Sequence, residues 1–280
     1  MASWKKPLRP RRRDRQSLDW AAKQGKVLIY KYYSSNSSDS TKELLIKISE
    51  EFTIRASAPT SFNDPFEFKV RVNLEADEEI ARKRFILDNP GKSEMDFTNW
   101  WGQLRRPHDW HFEQRTRSGL LQSLGVSCFS STCKNHLLWS HYAASHTGFC
   151  VGFDKSLMQD HADVVGHGAV EYKESSPVFN FFTENPDDFA RKAVFHKSSE
   201  WEYEEEFRIV FNTPGIKSIP MEAVKEVILG CRASAKMKQY VRTKIDSSHV
   251  NYFQMVESLS SYSLEKMAVV KDVWPMTSHF

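Results

Sequence analysis

The stretch WEYEEEFRIVF, Trp201 to Phe211, sets three glutamates side by side at the mouth of an apolar, strand-forming run. Like charges held together cost energy, so either they are solvated or one is placed for chemistry. Side chains alternate along a strand. A strand opening at Tyr203 puts Tyr203, Glu205, Phe207, Ile209 and Phe211 on one face. Glu204, Glu206, Arg208 and Val210 then share the other. Neighbouring carboxylates raise each other's proton affinity and a guanidinium lowers it. One acid of such a set can act as base or acceptor while the other positions it. On pattern alone a solvent-facing Glu–Arg pair of little worth is the alternative.

Upstream stands LLWSHYAASHTGFCVGFD, residues 137–154. Asn135 is a fitting N-cap for a helix HLLWSHYAASH that ends at Gly148. Helical spacing aligns Leu138, His141, Tyr142 and Ser145 on one side, and Trp139, Tyr142 and His146 on a second line. These groups can stack on a ring or hydrogen-bond to a ribose; a partly buried helix with satisfied imidazoles is the alternative. Cys128, Cys133, His136 and His141 share one window. Zinc ligand pairs are usually a dozen or so residues apart. Here they are nearly contiguous, so no metal is predicted. The four cysteines read as reduced, buried thiols.

Around these segments, strands are predicted in VLIYKYYS (27–34), FTIRAS, FKVRVNL, GVSCFSS (125–131), FCVGFD, AVEY, VKEVILG and SYSLEKMAVV. Helices are predicted in KELLIKISEE (42–51), PDDFARKAVFHK and ASAKMKQYVRTKI. APTSFNDPFEF reads as a turn in which Asn63 and Asp64 bond the backbone. Residues 77–124 look helical, broken at Asn89-Pro90-Gly91 and at Pro107, with Trp100, Trp101, Trp110 and Phe112 packing an insertion onto the body. The pattern predicts an α+β fold, with residues 25–280 as a single domain carrying a helical insertion at about 77–124. There is no GxGxxG, GxxxxGK, GxSxG or HExxH. That argues against a Rossmann dinucleotide site, a P-loop, a hydrolase elbow and a zinc protease of that type.

At 280 residues and 40% hydrophobic, the chain can bury a sizeable core. No apolar run nears the roughly 20 residues that span a bilayer. The basic N-terminus lacks an apolar segment after it, so a cytoplasmic location without a membrane partner is expected. The net charge of +3 is uneven. Residues 1–24 hold eight Lys or Arg against two Asp, and the remainder is therefore slightly acidic. That tail, expected to be flexible and solvated, could touch nucleic acid or an acidic partner through phosphate-type attraction.

In order, YKY (30–32), FNDPFE (62–67), SCFSS (127–131), LLWSHYAASHTGFCVGFD (137–154) and WEYEEEFR (201–208) resemble a large bacterial family that bears a domain-of-unknown-function label. The resemblance covers about Val27 to Gly230; where the family often has Arg after its Tyr-Lys-Tyr, this chain has Tyr33. The order of a Ser-bearing strand–helix–strand and a later strand opening on Glu is similar to the ADP-ribosyltransferase fold, with its split β-sheet. That resemblance implies NAD as substrate, Glu206 as the catalytic carboxylate and Glu204 as its companion. Tyr142 or Ser130 takes the middle role, and His141 or Glu204 accepts the proton of the attacking nucleophile. Tyr30, Lys31, Tyr32, Ser130 and Trp139 are the implied NAD contacts. Such enzymes place His or Arg on the first strand; Tyr30, Lys31 and Tyr32 depart from that, with Lys31 able to meet a phosphate. Losing nicotinamide leaves positive charge on the ribose, as in glycoside cleavage, and a fixed carboxylate stabilises it. The expected function is ADP-ribosyl transfer to a nucleic acid or protein, in a toxin or antiphage effector restrained by an antitoxin or other inhibitory partner. The alternatives are a non-catalytic recognition module of a defence complex and a nuclease toxin using His141 and Glu206. Glu206→Gln is expected to abolish transfer with little loss of stability.

Overall fold

A computed structural model describes residues 27–34, 38–104, 121–245 and 249–270. The predicted tail 1–24, Pro107, Trp110 and Phe112 lie outside the described residues. In chain order the elements are Leu28–Tyr33 (β1), Ser38–Ser49 (α1), Thr53–Ala56 (β2), Arg71–Asn73 (β3), Glu78–Asp88 (α2), Glu94–Leu104 (α3) and Gly125–Ser130 (β4). Next come His136–Tyr142 (α4), Phe149–Asp154 (β5), Lys155–Gln159 (α5), Val164–Ala169 (β6), Glu171–Lys173 (β7), Val178–Asn180 (β8) and Pro186–Val194 (α6). His196–Ser198 (β9), Glu206–Phe211 (β10), Gly215–Ser218 (β11), Val224–Leu229 (β12), Ala235–Arg242 (α7), Asn251–Glu257 (β13) and Leu264–Ala268 (β14) complete the α+β series among the described residues. Among the described residues no helix is long and apolar enough to cross a membrane.

The chain divides into two compact units. The first takes the described residues up to Ser57, Gly125–Ala169 and those from Glu202 onward. Its eight-stranded sheet runs β14-β13-β12-β5-β1-β4-β10-β6. β12 pairs with β13 in parallel, and the other neighbours are antiparallel. One face buries Ile29, Phe129, Val151, Phe153, Phe207, Ile209, Phe211 and Leu229 against Leu45 and Ile48 of α1 and Met237 and Val241 of α7. Both helices supply apolar residues three or four apart, which is why they lie flat on the sheet. Each fully buried Leu, Ile or Phe contributes about 1.5–3 kcal/mol. The other face is covered by α4 and its C-cap, where Trp139 and Ala143 pack with Cys133, Cys150, Ile228 and Met255. β5 is therefore buried at all six positions, which explains its unbroken apolar run.

The second unit takes Ala58–Leu124 and Val170–Trp201. It holds the predicted helical stretch together with the parallel pairs β3–β8 and β7–β9 and helix α6. Phe85, Phe97, Trp101 and Phe182 belong to an apolar cluster in it, with Trp100 against them. The FNDPFE turn closes through Asp64, whose Oδ1 accepts from the Phe66 amide at 2.8 Å. Its last residue, Glu67, makes an ion pair of 3.1 Å with Lys197, and both side chains are almost wholly buried.

Six elements escaped the sequence pattern: α5, β6, β8, β9, β11 and β13. β6 contains Gly166 and Gly168, residues depleted from strands, and β13 has no clean alternation. Helices α4, α6 and α7 are shorter than predicted, α6 ending at Val194 and α7 at Arg242. Helix α4 stops at Tyr142, not near Gly148. Ala144, Ser145 and His146 then turn left-handed, at φ 47°, 51° and 70°. Gly148 is required where this turn re-enters the sheet, since a Cβ there would lie 2.2 Å from the Tyr33 carbonyl oxygen.

Candidate active site

The three glutamates are separated by backbone geometry, which corrects the expected alternation from Tyr203. Ser199–Glu204 winds as a 3-10 turn, Glu205 sits at φ 45°, and β10 begins only at Glu206. Glu205 is exposed and accepts from the Ser131 hydroxyl. Glu204 is 5% exposed and accepts from the Tyr142 hydroxyl at 2.7 Å. Glu206 is also 5% exposed, and its two oxygens face Arg208 Nε at 2.8 Å and Nη2 at 2.9 Å. Arg208 itself has no exposed surface. A buried guanidinium requires a partner of this kind, and the two-point geometry fixes the plane of the carboxylate.

Asn135 holds this arrangement from the side, a role the sequence did not reveal beyond its capping signal. Its Oδ1 accepts from the amides of Leu137 at 2.9 Å and Leu138 at 3.4 Å, starting α4. Its Nδ2 donates to the Tyr203 carbonyl at 2.6 Å, tying the helix start to the acidic turn.

Across the sheet the register runs Glu206 to Ser130, Ser130 to Tyr30, Tyr30 to Gly152, and Gly152 to Glu226. Residues directly paired across strands project from the same face. Glu206, Ser130, Tyr30 and Glu226 therefore form one polar row, with Arg208 opposite Cys128 beside it. Glu226 is buried and held by Lys266 Nζ at 2.8 and 3.0 Å. The Tyr30 phenol bonds to Glu226; burial first, and then that carboxylate's charge, push its pKa far above the ordinary tyrosine value. Gly152 makes room in the row, because a Cβ would lie 2.6 Å from Glu226 Cγ. The Cys128 thiol is pushed well up by burial and then by Glu206, which keeps it protonated and unreactive.

The remaining predicted residues disperse. Lys31 leaves β1 on the opposite face, over the Phe129 ring at 5.5 Å, and donates to the Cys128 carbonyl at 3.0 Å. Burial lowers its pKa, against the pull of Cys128 and Glu206. Tyr32 donates to the Thr132 carbonyl at 2.9 Å and meets Trp139 edge-on at 5.2 Å. Trp139 is wholly enclosed, with its indole donating to the Cys133 carbonyl at 2.7 Å, so its faces serve packing. His141 is exposed next to Tyr142. The structure thus brings together Tyr30, Ser130 and Glu206, and separately Tyr142 and Glu204.

A protein family of unknown function, DUF2971, matches residues 138–209. The DUF2971 span runs from α4 to the fourth residue of β10 and so holds Tyr142, Glu204, Glu206 and Arg208. β1 and β4, which carry Tyr30 and Ser130, precede it. No curated protein and no solved structure matches the chain.

Proposed function

We infer that the chain is an ADP-ribosyltransferase-like enzyme that moves ADP-ribose from NAD to a nucleic acid or protein, as a toxin or antiphage effector, with Glu206 as its carboxylate. The observation that carries this is the row Tyr30–Ser130–Glu206 on the adjacent strands β1, β4 and β10. An early-strand residue, a middle Ser and a Glu opening a late strand are the three positions that such a site needs. The eight-stranded sheet is read here as the split sheet of that fold. In the reaction the ribose C1′–N bond breaks and nicotinamide leaves with the electron pair. The acceptor's nucleophile forms the new C1′ bond and gives its proton to a base. Each carboxylate oxygen has two lone pairs, so Arg208 can orient Glu206 while leaving acceptor capacity for a ribose hydroxyl. Glu204, hydrogen-bonded to Tyr142, is the proton acceptor. Lys31, on the opposite face, Tyr32, whose hydroxyl bonds the Thr132 carbonyl, and the enclosed Trp139 drop out of the NAD contact set, leaving Tyr30 and Ser130 from the row.

The full pairing of Glu206 with Arg208 favours a second reading, a non-catalytic recognition module in which the pair only braces β10. One experiment separates the two: incubate the protein with labelled NAD and cellular RNA, DNA and protein. Transfer that drops about 10²–10³-fold in folded Glu206→Gln supports the enzyme. Ligand binding indifferent to that substitution supports the module. RNA cutting without NAD supports the nuclease alternative. A folded protein that neither binds NAD nor labels any acceptor rejects the transferase.

A further inference from the structure

Residues 232–245 carry Arg232, Lys236, Lys238, Arg242 and Lys244, and no acidic residue. Helix α7 occupies most of this segment, started by Ser234, whose hydroxyl accepts from the Met237 amide at 3.3 Å. Met237 and Val241 face the core and turn the cations outward. Arg232, Lys236 and Arg242 are exposed; Lys238 and Lys244 are half-buried. Lys244 is bonded to Glu50 at 3.0 Å. The Lys238 ammonium is lowered first by burial and then by the like charge of Arg242. A surface segment that carries several cations and no acid attracts a polyanion.

We propose that α7 is a docking surface for the phosphodiester backbone of nucleic acid. From Lys236 to Arg242 the cations span about 9 Å of helix axis, while a duplex carries one charge per about 1.7 Å, so several phosphates fall within reach. An anionic bilayer fits less well. An interfacial helix needs a free apolar face, whereas α7's is packed in the core and residues 232–245 include none of the exposed large apolar side chains. The N-terminal sequence is basic as well, with eight Lys or Arg in residues 1–24. α7 lies on the sheet face opposite Glu206, so this surface tethers nucleic acid and reads no bases. The inference stands apart from the transferase reading, because it is tested by binding without NAD.

The test is fluorescence anisotropy of the full chain with labelled single- and double-stranded DNA and RNA oligonucleotides between 50 and 200 mM salt, roughly the range over which counterion release is resolved. Binding by wild type is expected, with affinity falling steeply as salt rises. In K236Q/K238Q/R242Q, the slope of log affinity against log salt should shrink by about 3, at about 0.9 per phosphate contact. Its affinity at low salt should fall about tenfold or more. Should the triple variant not match wild type in circular dichroism, Lys236→Gln alone should still shrink the slope by about 1. Unchanged affinity and slope in the folded variants would assign binding to the N-terminal sequence and overturn the proposal. No oligonucleotide binding overturns it, as does binding only to vesicles containing phosphatidylserine.

Discussion

Arg208 has no exposed surface, and that sets what a change at Glu206 does to the molecule. The earlier expectation, that Glu206→Gln leaves stability almost intact, does not survive this burial. Breaking one side of a buried ion pair costs about 3–5 kcal/mol. A urea denaturation series should show a loss of that order for Glu206→Gln. Adding Arg208→Met should recover part of it, and strictly additive losses would mean that the two groups are not coupled. Tyr142→Phe should remove about 1.5–3 kcal/mol, because the hydroxyl bonds a buried carboxylate, Glu204. His146 gives a pH signature. Burial, then Arg232, lowers its folded pKa, so below about pH 6.5 the unfolded chain binds a proton that the folded one resists. This contribution is intact above that pH and is lost as pH falls through the folded pKa. Melting temperature should therefore fall less between pH 7.5 and 5 in His146→Asn, a residue that tolerates the left-handed backbone, with about equal falls counting against it.

At the level of elements, α4 and the acidic turn depend on one side chain. Asn135→Ala removes the cap of α4 and the bond to the Tyr203 carbonyl, so about 1–2 kcal/mol is expected from the cap alone. Loss of any NAD-dependent transfer should accompany it, because Glu204 would no longer be held beside Tyr142. Gly152→Ala tests the row: the added methyl collides with Glu226 Cγ, and overpacking of this sort costs about 1–3 kcal/mol. An unchanged melting curve in that variant would contradict the close approach. Much of this level is visible in sequence. The Asn135 cap, the Asp64 turn, the alternation within Glu206–Phe211 and the apolar spacing of α1 and α7 are all local patterns. The end of α4 was not legible, because Ala144, Ser145 and His146 enter a left-handed turn without a glycine among them. Nor was the start of β10, since Glu205's positive φ has no local signature either.

Across the whole molecule, the candidate site exists only through distant pairing. Lys31 reaches a carbonyl 97 residues away, and the Tyr142–Glu204 bond spans 62. Closing such loops precedes any gain from the contacts, so folding in milliseconds to seconds or slower is expected, with refolding kinetics as the check. By itself the sequence determined that Glu206 and Arg208 share a face, that Phe207, Ile209 and Phe211 face a core, and that a helix falls within residues 233–245. Those properties follow from the periods of strand and helix, which need only near neighbours. The tertiary structure alone decided that Ser130, Tyr30 and Glu226 join Glu206 in one row, that Lys31 leaves on the other face, and that Trp139 is enclosed. The physical reason is register: a shift of one residue in any strand pair would turn each of those side chains to the opposite face. Register is set by which apolar faces can be buried together across the sheet, and no single segment contains that information.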